Sequence, residues 1–267
     1  MKWLVLSTCL PLLLIGCSTH MDPRLEREAE GLIRHDAQGG QELTPQALQD
    51  FVTRVLLRTR KIRGYRCTIY KRERVQGELL GTQKARLDIR HEPFSVHIRF
   101  LAPSAVAGEE AIYVAGRYDD KIVAHSTGLL GWLGTVHLDP GGSMAMKGNR
   151  YPITDAGMLR LLEKFDAICR SGVLDHCAIT SEEGVVLEGR TCVRVEVRNL
   201  HPRPDPGFSR IVLLVDADEG VLLHYEVQAL QEGACEVLVE RHTFTDVLLD
   251  PGLVDRDFDP ENPAYGY

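Results

Sequence analysis

The sequence has none of the short motifs that mark the common enzyme classes. It contains no Gly-x-Ser-x-Gly elbow, no His-Glu-x-x-His pair, no phosphate-binding loop and no dinucleotide-binding fingerprint. The 10 histidines are scattered singly, and no Cys-x-x-Cys or His-x-x-x-His spacing offers a set of metal ligands. These absences favour a protein that is not an enzyme and that uses no cofactor or metal ion.

Basic residues are fewer than acidic ones, with 31 lysines and arginines against 38 aspartates and glutamates, which gives a net charge of -7. A protein that binds nucleic acid needs a basic surface for the phosphates, so nucleic acid is not an expected partner. Beyond the start of the chain, no apolar run is long enough to cross a bilayer. The 44% of apolar residues is enough for one large core.

The longest apolar run lies at the start, where Met1 and Lys2 precede residues 3–15, which is the layout of a secretory signal. The motif Leu-Ile-Gly-Cys at 14–17 resembles the lipobox of bacterial lipoproteins, in which the cysteine is lipidated and the chain is cut before it. We expect residues 1–16 to be a signal peptide and Cys17 to carry the lipid anchor, palmitate included. Ser18 favours the outer membrane, facing the periplasm. An ordinary signal with a chance cysteine is the alternative.

The cysteines beyond Cys17 are Cys67, Cys169, Cys177, Cys192 and Cys235. In an oxidising compartment such thiols can pair, and an odd number leaves at least one unpaired. Cys169 and Cys177 are the best disulfide candidates because the loop between them is short, and its closure stabilises by about 2.5 kcal/mol. Two separate buried thiols are the alternative.

Two amphipathic helices are predicted in the body of the chain. Thr44 followed by Pro45 is a helix start signal, and the next apolar residues share one face of a helix that ends near Arg60. An apolar stripe over 158–169 indicates a second helix, capped by Thr154. Residues 17–43 are predicted to be a tether with a short helix over 24–35. We expect residues 44–267 to form one domain.

Most of the remaining sequence alternates with period two. The alternating segments are 65–70, 84–89, 94–100, 110–115, 121–125, 193–197, 211–215, 221–227 and, less cleanly, 235–244. Such strands bury one face and leave the other in water, which is the pattern of an antiparallel sheet. The predicted fold class is α+β, with a single curved antiparallel sheet, an incomplete barrel, whose concave face is covered by the two helices.

The segment 138–158 is a loop with four glycines, two prolines and three methionines. Met144 and Met146 can pack adaptably at the mouth of a cavity. Asp139, Asn149 and Arg150 are candidates for an interaction loop. The alternative is that the methionines fill an irregular gap in the core and that Asn149 and Arg150 cap neighbouring backbone.

Two stretches carry a resemblance to a known family, AMKGNRYPITDAGM at 145–158 and DFDPENPAYGY at 257–267. They resemble the bacterial secreted family of unknown function numbered fifteen-seventy-one, over a region from about residue 44 to the last residue. More distantly, the order of helices and strands is similar to the lipoprotein carriers LolA and LolB. That resemblance implies an incomplete barrel with a helical lid and an apolar cavity. The family gives no catalytic residues to carry over.

Three functional hypotheses remain open. The first is a lipid-anchored cell-envelope protein that binds a lipid or the acyl chains of a lipoprotein in the concave sheet. The candidate cavity residues are Phe94, Val96, Ile98, Phe100, Met144, Met146, Leu161, Leu162 and Phe165. The second is an envelope sensor or protein-interaction module with a solid core, which binds an envelope protein through residues 139–150. The third is an uncharacterised hydrolase that uses His125, Asp139 or Arg150.

Overall fold

The computed structural model of the protein describes residues 21–34, 40–126, 134–202, 207–231 and 235–267. The predicted signal peptide and Cys17 lie outside this part of the chain. The helices are α1 (Pro23–Glu30), α2 (Pro45–Lys61) and α3 (Met158–Arg170). The strands are β1 (Ile33–Arg34), β2 (Gln41–Glu42), β3 (Gly64–Val75), β4 (Glu78–Leu79), β5 (Gln83–Arg90), β6 (Ser95–Ala102), β7 (Glu110–Val114), β8 (Ile122–His125), β9 (Val136–Leu138), β10 (Cys177–Leu187), β11 (Arg190–Asn199), β12 (Arg210–Asp216), β13 (Leu222–Gln231) and β14 (Cys235–Leu249).

The strands form one antiparallel sheet. Its order is β1-β10-β11-β12-β13-β14-β3-β5-β6-β7-β8-β9, with β2 paired to β10 and β4 paired to β3. Within the described residues β1 and β9 do not pair with each other, so the sheet is open and does not close into a barrel. The predicted fold class, a single antiparallel sheet that forms an incomplete barrel, is confirmed.

One face of the sheet, which we call the core face, carries the apolar side chains of the alternating strands. Ile69 of β3, Leu87 of β5 and Phe244 of β14 lie on it and are all buried. Ile69 is opposite both Ala85 and Phe244 in the strand register, so apolar side chains from three neighbouring strands meet on the same face. The opposite face, which we call the outer face, carries mostly polar and charged residues.

Helices α2 and α3 lie side by side over the core face. The Oγ1 atom of Thr44 accepts a hydrogen bond from the backbone N–H of Ala47 at 3.2 Å, which confirms the predicted start of α2. The Gln49 amide of α2 donates to Asp166 of α3 at 2.7 Å and joins the two helices. The side chains that α2 and α3 bury in the core are Leu48, Val52, Val55, Leu56, Met158, Leu161, Leu162, Phe165 and Cys169. Burial of each of the larger ones stabilises the fold by about 1.5–3 kcal/mol.

The start of α3 differs from the prediction. Thr154 lies in a 3-10 turn, Ile153–Asp155, and does not cap the helix. The N-cap residue is Gly157, with φ of 102° and ψ of 172°. The Tyr65 hydroxyl accepts a hydrogen bond from the backbone N–H of Met158 at 2.9 Å, and so replaces the missing side-chain cap.

The segment predicted to be a tether contributes to the same sheet. Helix α1 ends at Glu30, five residues before the predicted end, because β1 begins at Ile33 and pairs with Leu187 of β10. Leu25 and Ala29 of α1 are buried against Tyr70 on the outer face. The described residues before Thr44 are therefore packed on the domain.

The C-terminal segment crosses the outer face. Phe258 is fully buried with Ile112 of β7, and the Tyr265 ring lies 4.0 Å from the ring of His97. The guanidinium of Arg90 contacts Asp255 at 2.7 Å. Charged and aromatic contacts thus hold residues 257–267, one of the two stretches that carry the family resemblance, on the side of the sheet that faces away from α2 and α3.

His224 on the outer face predicts an acid-dependent loss of stability. Its ring is buried, and Nδ1 lies 2.8 Å from the Thr243 hydroxyl. Burial lowers the pKa of His224 to about 3, while the neighbouring Glu226 opposes the shift and Arg241 adds to it. The unfolded chain therefore binds one more proton than the folded chain between pH 6.5 and about 3. We expect the free energy of unfolding to fall by about 1.4 kcal/mol per pH unit over this window from His224 alone.

The comparison that isolates this effect is urea unfolding of the protein and of a His224→Gln variant at several pH values. Glutamine keeps a hydrogen-bonding group beside Thr243 but does not titrate. The variant is expected to show a shallower dependence on pH below 6.5. Equal slopes for the two proteins would contradict this account of His224.

Candidate functional site

Two hollows lie on the core face. The smaller is a cavity of about 120 Å³ between the sheet and the segment that leads into α3. Its walls are mostly apolar, with Ile98 and Phe100 of β6 on one side and Ile153 and Leu161 on the other. Ligand pockets for small molecules usually measure about 300–1,000 Å³, so this cavity is too small for a lipid chain in its present form.

The larger hollow is an open groove of about 1330 Å³, which we call the α3 groove. It lies between the outer side of α3 and the ends of β11 to β14. Its apolar lining consists of Ala167, Ile168, Val173, Phe208, Tyr225, Val227, Ala229, Leu230, Val237 and Val239. The groove is large enough for acyl chains.

The α3 groove exists because the helix is shorter than the strands beside it. Helix α3 ends at Arg170 and the chain turns away at Gly172, which has φ of 81°. Strand β13 continues to Gln231 and β14 begins at Cys235. Among the described residues no helix covers these strand ends, and Ala229 and Val237 are only half-buried.

One end of the α3 groove is basic. The Arg74 guanidinium donates to the backbone oxygens of Leu238 and Gly77 at 3.0 and 2.7 Å, and that of Arg150 donates to the backbone oxygen of Arg74 at 3.2 Å. In the described part of the chain, neither guanidinium has a carboxylate within salt-bridge distance. The Lys164 ammonium lies 3.1 Å from the centre of the Tyr151 ring and is paired with Asp155 at 3.3 Å, and the buried carboxylate of Glu240 also lines the groove, so the positive charge of this end comes from Arg74 and Arg150. This end of the groove therefore favours a negatively charged group.

A buried polar cluster separates the groove from the cavity. The His242 Nε2 atom lies 2.9 Å from Glu73 Oε1, and the Lys71 ammonium lies 3.3 Å from Glu73 Oε2. The Tyr151 hydroxyl donates to Glu240 Oε1 at 3.0 Å. Tyr151 lines both hollows, whereas Glu73 and His242 line the cavity and Glu240 lines the groove.

The electrostatics of the cluster keep Glu73 charged. Burial alone would raise the pKa of Glu73, but the Lys71 ammonium, the His242 ring and the backbone N–H of Arg150 together hold it well below its usual range. Burial raises the pKa of Tyr151 to about 12, with a further contribution from the charge of Glu240. Tyr151 therefore stays a neutral hydrogen-bond donor at physiological pH.

Three of the nine predicted cavity residues line a hollow in the structure, and the other six do not. Ile98, Phe100 and Leu161 line the small cavity. The other candidates line neither hollow: Phe94, Val96, Met144, Met146, Leu162 and Phe165. Leu162 and Phe165 are fully packed because α3 sits directly on the sheet, and Val96 of β6 is buried in the same core. Met144 packs in a second apolar cluster.

The predicted interaction loop is only partly brought together. Asn149 Oδ1 accepts a hydrogen bond from Lys71 at 2.7 Å, and the backbone N–H of Arg150 donates to Glu73 at 3.1 Å. Both residues therefore belong to the polar cluster. Asp139 is exposed and accepts a hydrogen bond from the N–H of Gly141 in a turn, which gives it no part in the cluster.

The hydrolase candidates do not converge. His125 ends β8 beside the ring of Tyr267 on the outer face, with 5.9 Å between ring centres. Arg150 lies on the other side of the sheet, at the basic end of the groove. These contacts give no arrangement in which His125 and Arg150 act on one substrate.

The two cysteines predicted as a disulfide are thiols in this structure. The Cys177 thiol donates to the backbone oxygen of Val173 at 3.4 Å, and Cys169 is buried on α3. Burial raises the pKa of Cys169 to about 12, so this thiol is unreactive at neutral pH. Their pairing in an oxidising compartment stays a prediction.

The sequence analysis missed Glu73, Glu240 and His242. A signal for them exists, since Lys71 and Glu73 share one face of β3, and Glu240 and His242 share one face of β14, at the spacing of two that a strand requires. What the spacing does not reveal is that β3 and β14 are neighbours. Their separation along the chain exceeds 160 residues.

No helix in the described residues has the length and apolar character needed to cross a membrane. No curated protein matches the chain. Among solved structures, the lipoprotein LppX of Mycobacterium tuberculosis is 13% identical with a TM-score of 0.46, over 80% of this chain and 99% of that one. A putative outer membrane lipoprotein-sorting protein domain from Vibrio parahaemolyticus is 12% identical with a TM-score of 0.37, over 79% and 95% of the two chains.

A LolA superfamily protein from Nitrosomonas europaea is 10% identical with a TM-score of 0.33, over 78% of this chain and 97% of that one. The model of a family described as protein of unknown function, DUF1571, matches residues 62–267 and so includes both stretches, 145–158 and 257–267, that carry the predicted resemblance. The match covers most of the sequence, and the chain belongs to the DUF1571 family.

Proposed function

We propose that this protein is a non-catalytic, lipid-anchored protein of the cell envelope that binds the acyl chains of an anionic amphiphile in the α3 groove. The observation that supports this function is the combination of a long apolar groove and a basic end. The motif that ends in Cys17 supports the anchor, and Ser18 supports the outer membrane. A protein tethered there has membrane lipids and lipoproteins within reach.

The lining of the groove suits a flexible chain. Tyr225 and Val227 of β13 and Val239 of β14 form one wall, and Ile168 of α3 forms the other. Burial of each methylene of an acyl chain contributes about 0.8 kcal/mol, so a chain gains most of its affinity along this surface. The basic end then fixes the direction in which the chain enters.

Binding can be measured by displacement of a fluorescent fatty acid from the purified soluble domain. Phosphatidylglycerol, which is anionic, is expected to displace the probe at lower concentration than phosphatidylcholine, which is zwitterionic. The proposed function would be contradicted if the fluorescent fatty acid did not bind the domain, or if neither phospholipid nor free fatty acids displaced it.

The headgroup preference is expected to depend on Arg74 and Arg150. Each guanidinium that donates to an anionic headgroup contributes about 1.5–3 kcal/mol, which is about tenfold or more in affinity. We expect Arg74→Gln combined with Arg150→Gln to weaken phosphatidylglycerol binding by at least about tenfold and to leave phosphatidylcholine binding nearly unchanged. Titration of each lipid against the variant measures both effects.

Arg58→Gln is the matched control for this pair. Arg58 is an exposed arginine of α2 that pairs at 3.0 Å with Glu219, in the turn between β12 and β13 at the end of these strands that lies away from the groove. Its substitution is expected to change neither titration. Equal weakening of both lipids by the double variant would mean that the two arginines support the groove rather than select the headgroup.

A second function, an envelope sensor or protein-interaction module, is favoured by the packed interface between α3 and the sheet. In that case a protein partner contacts the segment 139–150. Chemical crosslinking in cells is expected to capture a protein partner. This partner is expected to be lost in the Arg150→Glu variant and kept in an Ala167→Trp variant, which blocks only the groove. Loss of crosslinking in both variants would favour the acyl-binding function.

A further inference from the structure

We propose that Glu73, Glu240 and His242 bind one divalent transition-metal ion of the Zn²⁺ class between the cavity and the α3 groove. One ligand atom from each residue lies within 4.8 Å of the others. All three side chains are buried, with 5%, 4% and 5% of their surface exposed. The proposed metal does not depend on what occupies the groove.

The sheet itself brings the ligands together. Glu73 of β3 lies directly opposite Glu240 of β14 in the register, and His242 follows two residues later on the same face. Ligands on paired strands are held by the backbone hydrogen bonds of the sheet, so only their side-chain torsions remain to be set. Zn²⁺ binding requires these side chains to turn until each ligand atom lies about 2.0–2.2 Å from the ion, starting from ligand atoms that are within 4.8 Å of one another.

The charges of the cluster favour an additional cation. Like charges directly opposite each other on paired strands are destabilising. The Lys71 ammonium pairs with Glu73 and also donates a hydrogen bond to Asn149 Oδ1. Glu240 accepts one hydrogen bond from a neutral group, the Tyr151 hydroxyl. The Arg150 guanidinium reaches Glu240 only through the Tyr151 hydroxyl, to which its Nε donates at 3.2 Å, and within the described residues no cation forms a salt bridge with Glu240.

Two buried atoms of the cluster also lack partners. Glu240 Oε2 and His242 Nδ1 make no hydrogen bond within the described part of the chain. A buried carboxylate oxygen without a donor is costly, and native proteins satisfy such atoms with an ion or an ordered water. Glu73 has contacts on both of its oxygens, Oε1 with His242 Nε2 and Oε2 with the N–H of Arg150. The carboxylate oxygen of the cluster that needs a partner is therefore Glu240 Oε2.

The donor set selects the type of metal. One imidazole nitrogen and two carboxylate oxygens are typical ligands of Zn²⁺, whereas Ca²⁺ and Mg²⁺ prefer oxygen alone. Three protein ligands leave one coordination position for water or for an oxygen of another molecule. In the described residues no other group of three histidine, cysteine or acidic side chains converges in this way.

The test is metal analysis of the full chain after dialysis against micromolar Zn²⁺, together with the absorption spectrum of the Co²⁺ form. We expect one Zn²⁺ per chain and a Co²⁺ spectrum without thiolate charge-transfer bands. Glu240→Gln and His242→Gln are each expected to lower the affinity for Zn²⁺ by at least about tenfold. Glu226→Gln is the matched control, because Glu226 is a buried glutamate of the outer face that pairs with Arg241.

Several results would overturn the site. They are the absence of bound Zn²⁺, unchanged affinity in both variants, or thiolate bands in the Co²⁺ spectrum. If a variant fails to fold, the wild type still decides: Zn²⁺ is expected to raise its Tm and a chelator to reverse the rise, and no change in Tm counts against the site. Blocking the groove at Ala167 is expected to leave Zn²⁺ binding intact, so the metal site and the acyl groove can fail separately.

Discussion

Replacement of Ala167 by Trp is expected to abolish binding of acyl chains. Ala167 is an exposed residue of α3 whose side chain points into the α3 groove. An indole ring at this position fills the space between Ile168 and the strands, and it does so without entering the packed core, because Leu162 and Phe165 lie on the opposite side of the helix. We expect the affinity for phosphatidylglycerol to fall by at least about 100-fold in the probe-displacement assay.

The matched control for this variant is Ala217→Trp. Ala217 is exposed at the turn between β12 and β13, at the end of these strands that lies away from the groove. It receives the same change in size and hydrophobicity, and it is expected to bind phosphatidylglycerol like the wild type. If both variants lose binding, the loss is not caused by the groove. If both variants retain binding, the acyl chain binds elsewhere on the protein.

Gly157→Ala is expected to give a large loss of stability for the addition of a single methyl group. Gly157 has φ of 102° and ψ of 172°, a region that residues with a side chain almost never adopt. A Cβ atom here lies 2.5 Å from both Tyr65 Oη and Ile89 Cδ1. Backbone strain and overpacking each cost about 1–3 kcal/mol, so we expect the free energy of unfolding to fall by about 3–5 kcal/mol in urea denaturation.

The control is Gly172→Ala, at the other end of α3. Gly172 also has a positive φ, 81°, but a Cβ atom there has no heavy atom within 4 Å. The free energy of unfolding of this variant is expected to fall by only about 1–2 kcal/mol, which is the cost of a residue with a side chain in the left-handed conformation. Equal losses for the two variants would mean that the close contact of Gly157 with Tyr65 does not fix the start of α3.

The period-two alternation predicted most of the sheet because a strand with one buried face must repeat every two residues. Strands β3, β5, β6, β11, β12 and β13 all overlap the predicted segments. Strand β10 was missed because its register shifts between Glu182 and Val185, which breaks the alternation. Strands β1 and β2 have two residues each, too few for any pattern to show.

The site was less accessible to sequence reasoning than the fold. Inward-facing residues of β6 could be predicted, and Ile98 and Phe100 do line the small cavity. The prediction could not say that Phe165 would fill the space beneath α3, because that depends on the distance between helix and sheet. The α3 groove depends on where α3 ends relative to β13 and β14, and this difference in length is a property of the assembled fold.

The Thr154 cap illustrates the same limit on a smaller scale. A threonine before an apolar stripe is a sound helix start signal by local chemistry. In the fold, the hydroxyl of Tyr65, which is distant in sequence, takes over the N–H of Met158. A contact between remote residues replaced the local one, and the helix begins four residues after Thr154.

The most direct test of the central claim is native mass spectrometry of the full-length protein after gentle extraction from its membrane. The acyl-binding account predicts a protein that carries one non-covalent anionic lipid in addition to the lipid on Cys17. It also predicts an Ala167→Trp variant that carries the Cys17 lipid alone. A wild-type protein that is consistently free of non-covalent lipid, or an Ala167→Trp variant that retains it, would contradict the claim that the α3 groove is the binding site.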